Sequence, residues 1–173
     1  MKRWNAILKK LSKHNRLKVA EIGVWQGKLS EQLLFARPKM TLYLIDRWTT
    51  YTPEEIEGDK KATLVYYEQK IFDAALKMTK KKIKPFEDRV KFIIQDSVKA
   101  SKKFKDNSLD LVFIDGDHSY EGVKRDIEAW LPKVKKGGWI CGHDYTRLSV
   151  SKAVHEFFPE VETDVDKTWF KQV

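Results

Sequence analysis

The sequence of 173 residues has one cysteine, Cys141, and no long apolar run. A single thiol cannot form a disulfide within the chain, which excludes a disulfide scaffold. No apolar segment is as long as a membrane span or a secretory signal, so we expect a soluble cytoplasmic protein without a membrane partner. Cys141 lies within an apolar run, and we interpret it as a buried side chain rather than a nucleophile.

The chain also lacks repeats, low-complexity tracts and linkers rich in proline or glycine. This absence argues against several domains, and the length suits one domain with a sizeable core. The hydrophobic fraction is 42%, with six Trp, six Tyr and nine Phe, which argues against an intrinsically disordered chain. We therefore predict a single domain over residues 1–173.

Acidic residues are missing from the first eighteen positions, which carry seven basic ones: Lys2, Arg3, Lys9, Lys10, Lys13, Arg16 and Lys18. Apolar residues in the same segment recur at helical spacing, which predicts a basic amphipathic helix over residues 1–17. The whole chain has 34 Lys plus Arg against 25 Asp plus Glu, a formal charge of +9. Two interpretations of the basic segments remain open, a solvated helix face and an anion-binding surface.

Two hydrophobic periodicities alternate along the rest of the chain. Apolar runs of strand length are residues 18–22, 41–45, 90–94, 109–114 and 139–141. Segments with helical spacing lie between them. This alternation predicts an α/β domain, with a doubly wound parallel sheet and helices on both of its faces. Near the end of the chain, two short strands around Asp166 and Lys167 are predicted to form a closing hairpin.

Each predicted parallel strand is followed by an acid. In doubly wound sheets the ligand binds beyond the carboxyl ends of the strands, near the switch in strand order. A helix cap explains one such acid, but five in one crevice repel one another. A bound cation, or a ligand with several hydroxyl and amino donors, would relieve this repulsion. The five acids are Glu21, Asp46, Asp96, Asp115 and Asp144.

The chain lacks the second glycine of a dinucleotide-binding fingerprint. The first strand ends in EIGVWQG, with Trp25 where G-x-G-x-x-G would let a pyrophosphate approach. The bulky indole therefore favours a ligand without phosphates. Gly23 and Gly27 are also explained by a tight strand-to-helix turn. Asp46, 25 residues after Glu21, can take both hydroxyls of a ribose, so these residues together suggest an adenosine-like ligand.

The series EIGVWQG, LIDRW, QDS, FIDGDHSYEGVKRDIEAWLPKVKKGGW and GHDY resembles class I S-adenosylmethionine-dependent methyltransferases. Within that class the chain is most similar to the small-molecule O-methyltransferases grouped with macrolide-sugar methyltransferases and cephalosporin-hydroxylase-type proteins. The similarity covers residues 18–173, and the long fourth-strand motif is its most specific part. The resemblance implies a Rossmann-like sheet of seven strands, mostly parallel, with an antiparallel last strand.

The resemblance also implies a cofactor, S-adenosyl-L-methionine. The glycine segment would border its methionine part, Asp46 would hold the ribose hydroxyls, and Asp96 would lie near the adenine amine. Asp96 and Ser97 have an alternative role as a cap of the next helix. The cofactor-binding residues that the resemblance implies are Glu21, Gly23, Trp25, Gly27, Asp46, Asp96, Ser97 and Asp115.

Methyl transfer to oxygen needs a base that removes the proton of the acceptor hydroxyl. By resemblance His118, three residues after Asp115, is that base, with Asp115 and Asp144 as further catalytic residues. An imidazole suits this role, although a histidine packed in a turn is the alternative. Asp117 is predicted to orient the loop or His118.

By the same resemblance, a divalent metal would be held by Asp115, His143 and Asp144. Mg²⁺ prefers oxygen ligands, whereas imidazole suits softer metals such as Mn²⁺, so His143 leaves the identity of the metal open. Two alternatives remain. Either the two carboxylates alone bind the metal, or there is none and His118 and His143 share the role of base.

We predict that the protein methylates a hydroxyl of a small molecule. One alternative is a nucleic-acid or nucleotide methyltransferase that uses the basic surface, although we see no N-P-P-Y-type motif. Another is a cofactor-binding homologue without methyl transfer, or a different α/β chemistry such as hydroxylation. Residues 48–84 form a long crossover whose aromatic start is a candidate lid, and a homo-oligomer could complete the pocket.

Overall fold

The computed structural model describes residues 2–12, 16–50 and 68–173. The predicted lid and helix start within residues 48–84 fall mainly on residues 51–67, which lie outside the described residues. In the described part of the chain, no helix combines the length and the apolar character that crossing a membrane requires.

Helices and strands alternate along the chain, as the two periodicities predict. The helices are α1 (Arg3–Lys10), α2 (Lys28–Ala36), α3 (Gln69–Ile83), α4 (Ser97–Ser101), α5 (Tyr120–Trp130) and α6 (Leu148–Phe157). The strands are β1 (Lys18–Ile22), β2 (Thr41–Asp46), β3 (Val90–Ile94), β4 (Leu109–Ile114), β5 (Val134–Gly142), β6 (Glu162–Asp164) and β7 (Thr168–Gln172). Short 3-10 helices, Lys84–Arg89 and Leu131–Lys133, lead into β3 and β5.

Within the described residues, seven strands form one sheet in the order β3-β2-β1-β4-β5-β7-β6. The first five strands in this order are parallel to one another. The last strand of the chain, β7, runs antiparallel to both β5 and β6. The predicted class, a mostly parallel Rossmann-like sheet closed by an antiparallel hairpin, is confirmed.

The central strands are buried on both faces because helices cover each side of the sheet. Along β4, Leu111 and Phe113 pack into a core with residues of α1, α2 and α3. Their neighbours Val112 and Ile114 point the other way, into a core with residues of α4, α5 and α6. This alternation is the period of two that a β-strand imposes, and it explains why β4 is apolar almost throughout.

Strand β5 is longer than the apolar run at residues 139–141 predicts. It begins at Val134 and includes Gly137 and Gly138, which carry no apolar side chain. Val134 pairs with Leu109, and a shift in register follows before Leu111 pairs with Trp139. The backbone N–H of Gly137 also donates to the carbonyl of Val173, at 2.6 Å. Pairing with other parts of the chain therefore makes this polar segment a strand.

Helix α1 is part of the core. Ala6, Ile7 and Leu11 are buried on its apolar face. At its end, Nη2 of Arg37 donates to the carbonyls of Leu8 and Leu11, at 2.7 and 3.2 Å. These bonds satisfy carbonyls that a helix end leaves without partners. The predicted amphipathic helix exists, with narrower bounds than residues 1–17.

The interpretation of the basic N-terminal segment as a solvated face is only partly right. Lys9 donates to Asp164 at 3.1 Å and Lys10 to Glu162 at 2.5 Å, so α1 lies against the β6–β7 hairpin. Lys10 also stands 4.3 Å from the ring centroid of Trp139. Exposed ion pairs contribute about 0–1 kcal/mol each. They therefore orient α1, while its apolar face supplies most of the docking.

We predict that Gly23→Ala is far more destabilising than Gly137→Ala. Both glycines have positive φ, of 81° and 77°. A Cβ at Gly23 would lie 2.3 Å from the carbonyl oxygen of Asp115, whereas a Cβ at Gly137 meets nothing within 4 Å. We expect Gly137→Ala to cost about 1–2 kcal/mol of unfolding free energy and Gly23→Ala about 2–5 kcal/mol. Urea unfolding measures both, and equal losses would contradict the packing argument.

Candidate active site

A cavity of about 440 Å³ opens beyond the carboxyl ends of β1 to β4. β1 pairs with both β2 and β4, so the strand order reverses at this point, where doubly wound sheets bind ligands. Eight predicted site residues line the cavity: Glu21, Gly23, Trp25, Asp46, Asp96, Ser97, Asp115 and His118. Three others, Gly27, His143 and Asp144, are not part of its lining.

The glycine segment after β1 is held in place by Asp46. Oδ2 of Asp46 accepts hydrogen bonds from the backbone N–H groups of Val24 and Trp25, both at 2.9 Å. Oδ1 accepts from the backbone N–H of Trp48 at 2.8 Å. Asp46 thus connects the end of β2 to the turn after β1. A carboxylate oxygen can accept two hydrogen bonds, so Oδ1 can still take one from a ligand.

The backbone of Trp25 adopts a strained conformation that several contacts stabilise. Its φ is 54°, which L residues rarely adopt. Its carbonyl accepts from Nε1 of Trp48 and from Oγ1 of Thr79, both at 2.8 Å, and its indole packs edge-on against Phe72 at 5.6 Å. The same turn brings Gly27 against Thr79, where a Cβ would approach Cγ2 to 2.8 Å. These contacts fix the wall of the cavity.

Glu21 is buried at the base of the cavity and is 2% exposed. Burial raises the pKa of its carboxyl to about 8, and the charges of Asp115 and Asp46 act in the same direction. A hydrogen bond from Ser30, at 2.6 Å, acts in the opposite direction. Glu21 is therefore mostly protonated at neutral pH, so it can donate a hydrogen bond as well as accept one.

Asp96 and Ser97 are both engaged in local structure at the other end of the cavity. Asp96 caps α4, since its Oδ1 accepts from the backbone N–H of Lys99 at 3.0 Å. The Ser97 hydroxyl accepts from Nε1 of Trp130 at 2.8 Å and hydrogen-bonds to Asp126. The capping role that the sequence left open is thus present for Asp96, which also lines the cavity.

Asp126 is a site residue that sequence reasoning missed. It lines the cavity and is 5% exposed. Burial raises the pKa of its carboxyl to about 7, against the effect of the hydrogen bond with Ser97. A signal was present in the sequence, because Asp126 stands among Val123, Ile127 and Trp130 on the apolar stripe of α5. An acid on a buried stripe indicates a special environment.

Asp115, at the end of β4, is the centre of the predicted catalytic group. Nε2 of His118 lies 3.3 Å from Oδ1 of Asp115 and 3.2 Å from Oδ2 of Asp144. Nδ1 of His143 lies 3.5 Å from the same two oxygens. Although burial alone would raise it, hydrogen bonds from the two histidines and the charge of Arg3 hold the pKa of Asp115 below its usual range. The fold thus brings the four predicted residues together.

Asp117 lies beside this group and faces α5. Its Oδ1 accepts from the backbone N–H of Ser119 at 2.9 Å. A Cβ at Gly122 would lie 2.4 to 2.5 Å from the carboxyl group of Asp117 and 2.7 Å from its Cβ, so Asp117 is packed tightly against the first turn of α5. The carbonyl of His118 accepts from Oγ of Ser149 at 2.8 Å. These contacts order the loop that presents the His118 ring.

Two arginines contact this group and were not predicted from the sequence. Nη1 of Arg3 donates to Oδ2 of Asp115 at 2.5 Å. Nε of Arg147 lies 3.3 Å from Oδ2 of Asp144. Each carboxylate therefore has an arginine partner as well as a histidine. Arg3 is separated from Asp115 by 112 positions in the chain, so no local pattern indicates their contact.

The donor set of this group suits a divalent cation. Oδ1 of Asp115, Nε2 of His118 and Oδ2 of Asp144 all lie within 4.8 Å of one another. His143 offers a further nitrogen at 3.5 Å from the two oxygens. Two carboxylates with imidazole suit Mn²⁺ better than Mg²⁺, which keeps oxygen ligands. The residues present therefore fit one cation.

Comparison with known proteins shows the family. Residues 20–145 match a family whose model is described as a methyltransferase domain, and this chain belongs to it. The match includes the glycine segment and the group around Asp115, but neither α1 nor the β6–β7 hairpin. The predicted membership in class I methyltransferases is thus confirmed at the level of family and fold.

Two solved structures share the fold. The O-methyltransferase NovP has a TM-score of 0.70 and 18% identity, covering 96% of this chain and 74% of NovP. The calicheamicin methyltransferase CalS11 has a TM-score of 0.70 and 12% identity, covering 98% of this chain and 76% of CalS11. A sequence relative, uncharacterized protein R132 of Acanthamoeba polyphaga mimivirus, is 36% identical over 59 residues, 34% of this chain and 27% of R132. The match thus spans about a quarter of that relative.

We predict that Asp126→Asn removes a pH dependence of stability. The pKa of Asp126 is about 7 in the folded chain and about 4 in an unfolded one. Between these values the folded state keeps a proton that the unfolded state has lost, so stability falls as the pH rises. We expect the two proteins to differ little at pH ~4, and the variant to be roughly 3–4 kcal/mol more stable at pH ~8. Urea unfolding of both proteins across this pH range tests the prediction. Parallel plots of unfolding free energy against pH would contradict it.

Proposed function

We propose that the protein transfers the methyl group of S-adenosyl-L-methionine to a hydroxyl oxygen of a small molecule. The observation that carries this proposal is the position of His118. Its ring stands beside Asp115 and Asp144 and lines the same cavity as the glycine segment after β1. A base and a cofactor cradle in one cavity are what methyl transfer to oxygen requires.

The cofactor would lie along the carboxyl ends of β1 to β4. Gly23, Trp25 and Gly27 would border its methionine part, and the protonated Glu21 would lie near its amino group or ribose. Asp46 would accept from a ribose hydroxyl through Oδ1. Asp96 and Ser97 would meet the adenine, with Asp115 between the methionine part and the acceptor. When bound, S-adenosylmethionine supplies a methyl group on a positively charged sulfur, which an oxygen nucleophile displaces in line.

The proposed base is Nδ1 of His118. Nε2 faces two carboxylate oxygens, at 3.3 and 3.2 Å, so this nitrogen carries the proton and donates. The lone pair then resides on Nδ1, which is buried and has no hydrogen-bond partner among the described residues, so the ring would have to turn for Nδ1 to meet an acceptor hydroxyl. Asp115 and Asp144 would stabilise the imidazolium that forms when Nδ1 takes the acceptor proton.

A divalent cation, Mn²⁺ or Mg²⁺, would assist through Asp115, His143 and Asp144, which leaves His118 as the base. A cation there would polarise the acceptor hydroxyl and lower its pKa. The alternative set replaces His143 with His118, whose Nε2 lies within 4.8 Å of the same oxygens. In that set Nε2 of His118 would be a ligand and Nδ1 would carry the ring proton, so His118 would not be the base.

A nucleic-acid or nucleotide acceptor is the second candidate. Helix α3 and the 3-10 helix after it carry Lys77, Lys80, Lys81 and Lys84, for which the described residues show no ion pair. Such a cluster attracts polyanions. This candidate predicts binding to RNA or DNA with a steep salt dependence, because phosphate contacts release counterions. The small-molecule acceptor predicts methylation without such binding.

We expect His118→Ala to lower methyl transfer about 10²–10⁴-fold and to leave cofactor affinity nearly unchanged. The assay is transfer of labelled methyl from S-adenosylmethionine to a panel of catechols, sugars and RNA. Calorimetry with S-adenosylhomocysteine gives the affinity. The control is His155→Ala, an exposed histidine bonded to Tyr145 at 2.8 Å, which should keep full activity. Unchanged transfer by His118→Ala would overturn the assignment of the base.

We expect Mn²⁺ to raise the melting temperature of the wild type by several degrees at saturation, and to raise that of Asp144→Asn far less. Asn suits the positive φ of this position, 56°, so the fold should persist. The control is Asp106→Asn, an exposed acid paired with Lys133 at 2.5 Å. Equal shifts in all three proteins would contradict a cation site at Asp144.

A further inference from the structure

Arg3 lines the cavity although α1 lies outside the matched methyltransferase family region. Its Nη1 donates to Oδ2 of Asp115 at 2.5 Å, and its Nε lies 3.9 Å from Oδ2 of Asp166. The side chain is 29% exposed. The guanidinium is thus held over the end of β4 by one carboxylate of the site and one of the β6–β7 hairpin.

The position of Arg3 follows from the way α1 docks. Ala6 and Ile7 are fully buried in the core beneath the sheet's α1–α3 face, which fixes the rotation of the helix. Lys9 and Lys10 pair with Asp164 and Glu162 at its far end. The packing and ion pairs of the rest of α1 therefore place Arg3, in the first turn, at the cavity.

Arg3 presents unused donors to the cavity. A guanidinium has five N–H donors, and one of them makes a hydrogen bond within the part of the chain that the structure describes. Its charge is close enough to act on the carboxyls of both Glu21 and Asp115. Arg3 therefore stands at the end of the cavity where these two acids and Gly23 meet.

This end of the cavity would receive the amino-acid part of the cofactor, which carries an ammonium and a carboxylate. Acids can take the ammonium, but a carboxylate needs a cation or free N–H donors. Three other basic residues also line the cavity, on other elements of the fold. Lys28 is exposed at the start of α2, Arg47 follows β2, and Arg125 is exposed on α5 beside Asp126.

We propose that Arg3 binds the α-carboxylate of the cofactor's methionine part, and so selects the carboxylated cofactor over its decarboxylated form. The proposal rests on the proposed function, because it takes S-adenosylmethionine as the ligand. Asp115 holds the guanidinium in place, and the planar fork offers paired donors to a carboxylate. The basic N-terminal helix thereby becomes part of the cofactor site.

The test compares two ligands by titration calorimetry: S-adenosylhomocysteine, and its analogue that lacks only the α-carboxylate. We expect the wild type to bind the first at least about tenfold more tightly, which a charge-assisted hydrogen bond supplies. Arg3→Gln should lose about tenfold or more for S-adenosylhomocysteine and little for the analogue. Arg3→Lys, which keeps the charge, should retain part of the preference.

The control is Lys9→Gln, on the same helix and paired with Asp164 outside the cavity, which should keep the wild-type preference. Thermal unfolding of each variant tests whether the domain remains folded. The inference is overturned if Arg3→Gln weakens both ligands equally, since that is a structural effect, or if it keeps the wild-type preference. If the wild type binds neither ligand, the proposed function itself falls, and the inference with it.

Discussion

The site depends on one close approach, between the backbones that follow β1 and β4. Gly23 has no Cβ, and this lets its turn lie against the carbonyl of Asp115 and Cα of Gly116. The backbone N–H of Gly23 donates to Ile45 at 2.9 Å, and that of Asp115 donates to Ile22 at 2.8 Å. The ladder thus continues past the strand ends. It places the glycine segment and the group around Asp115 side by side in the lining of one cavity.

The acids of this cavity differ in charge, and their surroundings explain why. Glu21 and Asp126 form no ion pair among the described residues, so burial raises the pKa of each carboxyl, to about 8 and about 7, against the smaller effects of Arg3 and Arg125. Asp115 is also largely buried, but it bonds to Arg3 and two histidines and stays ionised. The negative crevice that five successive acids suggest is therefore weaker, because some acids are neutral and others are paired.

Much of the fold could be predicted from the sequence, because the pattern of apolar residues within each short segment indicates whether that segment is a strand or a helix. The bounds of β1, β3 and β4 agree with their apolar runs. β1 and β4 are largely buried, whereas β3 is an edge strand that is only partly buried. The start of β5 could not be predicted, since pairing with β4 and the end of the chain makes its glycines part of a strand. The predicted acids do lie at one edge of the sheet.

The other features of the site could be identified only from the tertiary structure. Asp46 was predicted as a ribose ligand. Its hydrogen bonds to the backbone of the glycine segment depend on the conformation of the turn after β1, which the spacing of residues in the sequence does not reveal. Arg3 meets Asp115 only because α1 packs back across the sheet beside the closing hairpin. Arg3 is one of seven basic residues in the first eighteen positions, and the sequence does not distinguish it from the others. The long-range contacts, rather than the motifs, decide what closes the cavity.

The central claim is that the cavity between the glycine segment and Asp115 holds S-adenosylmethionine. A crystal structure of the protein grown with S-adenosylhomocysteine tests it most directly. The account predicts that the amino-acid part lies beside Gly23, Arg3 and Asp115, and that the adenine lies beside Asp96 and Asp126. A ligand bound elsewhere, or an empty cavity at saturating ligand, would contradict it.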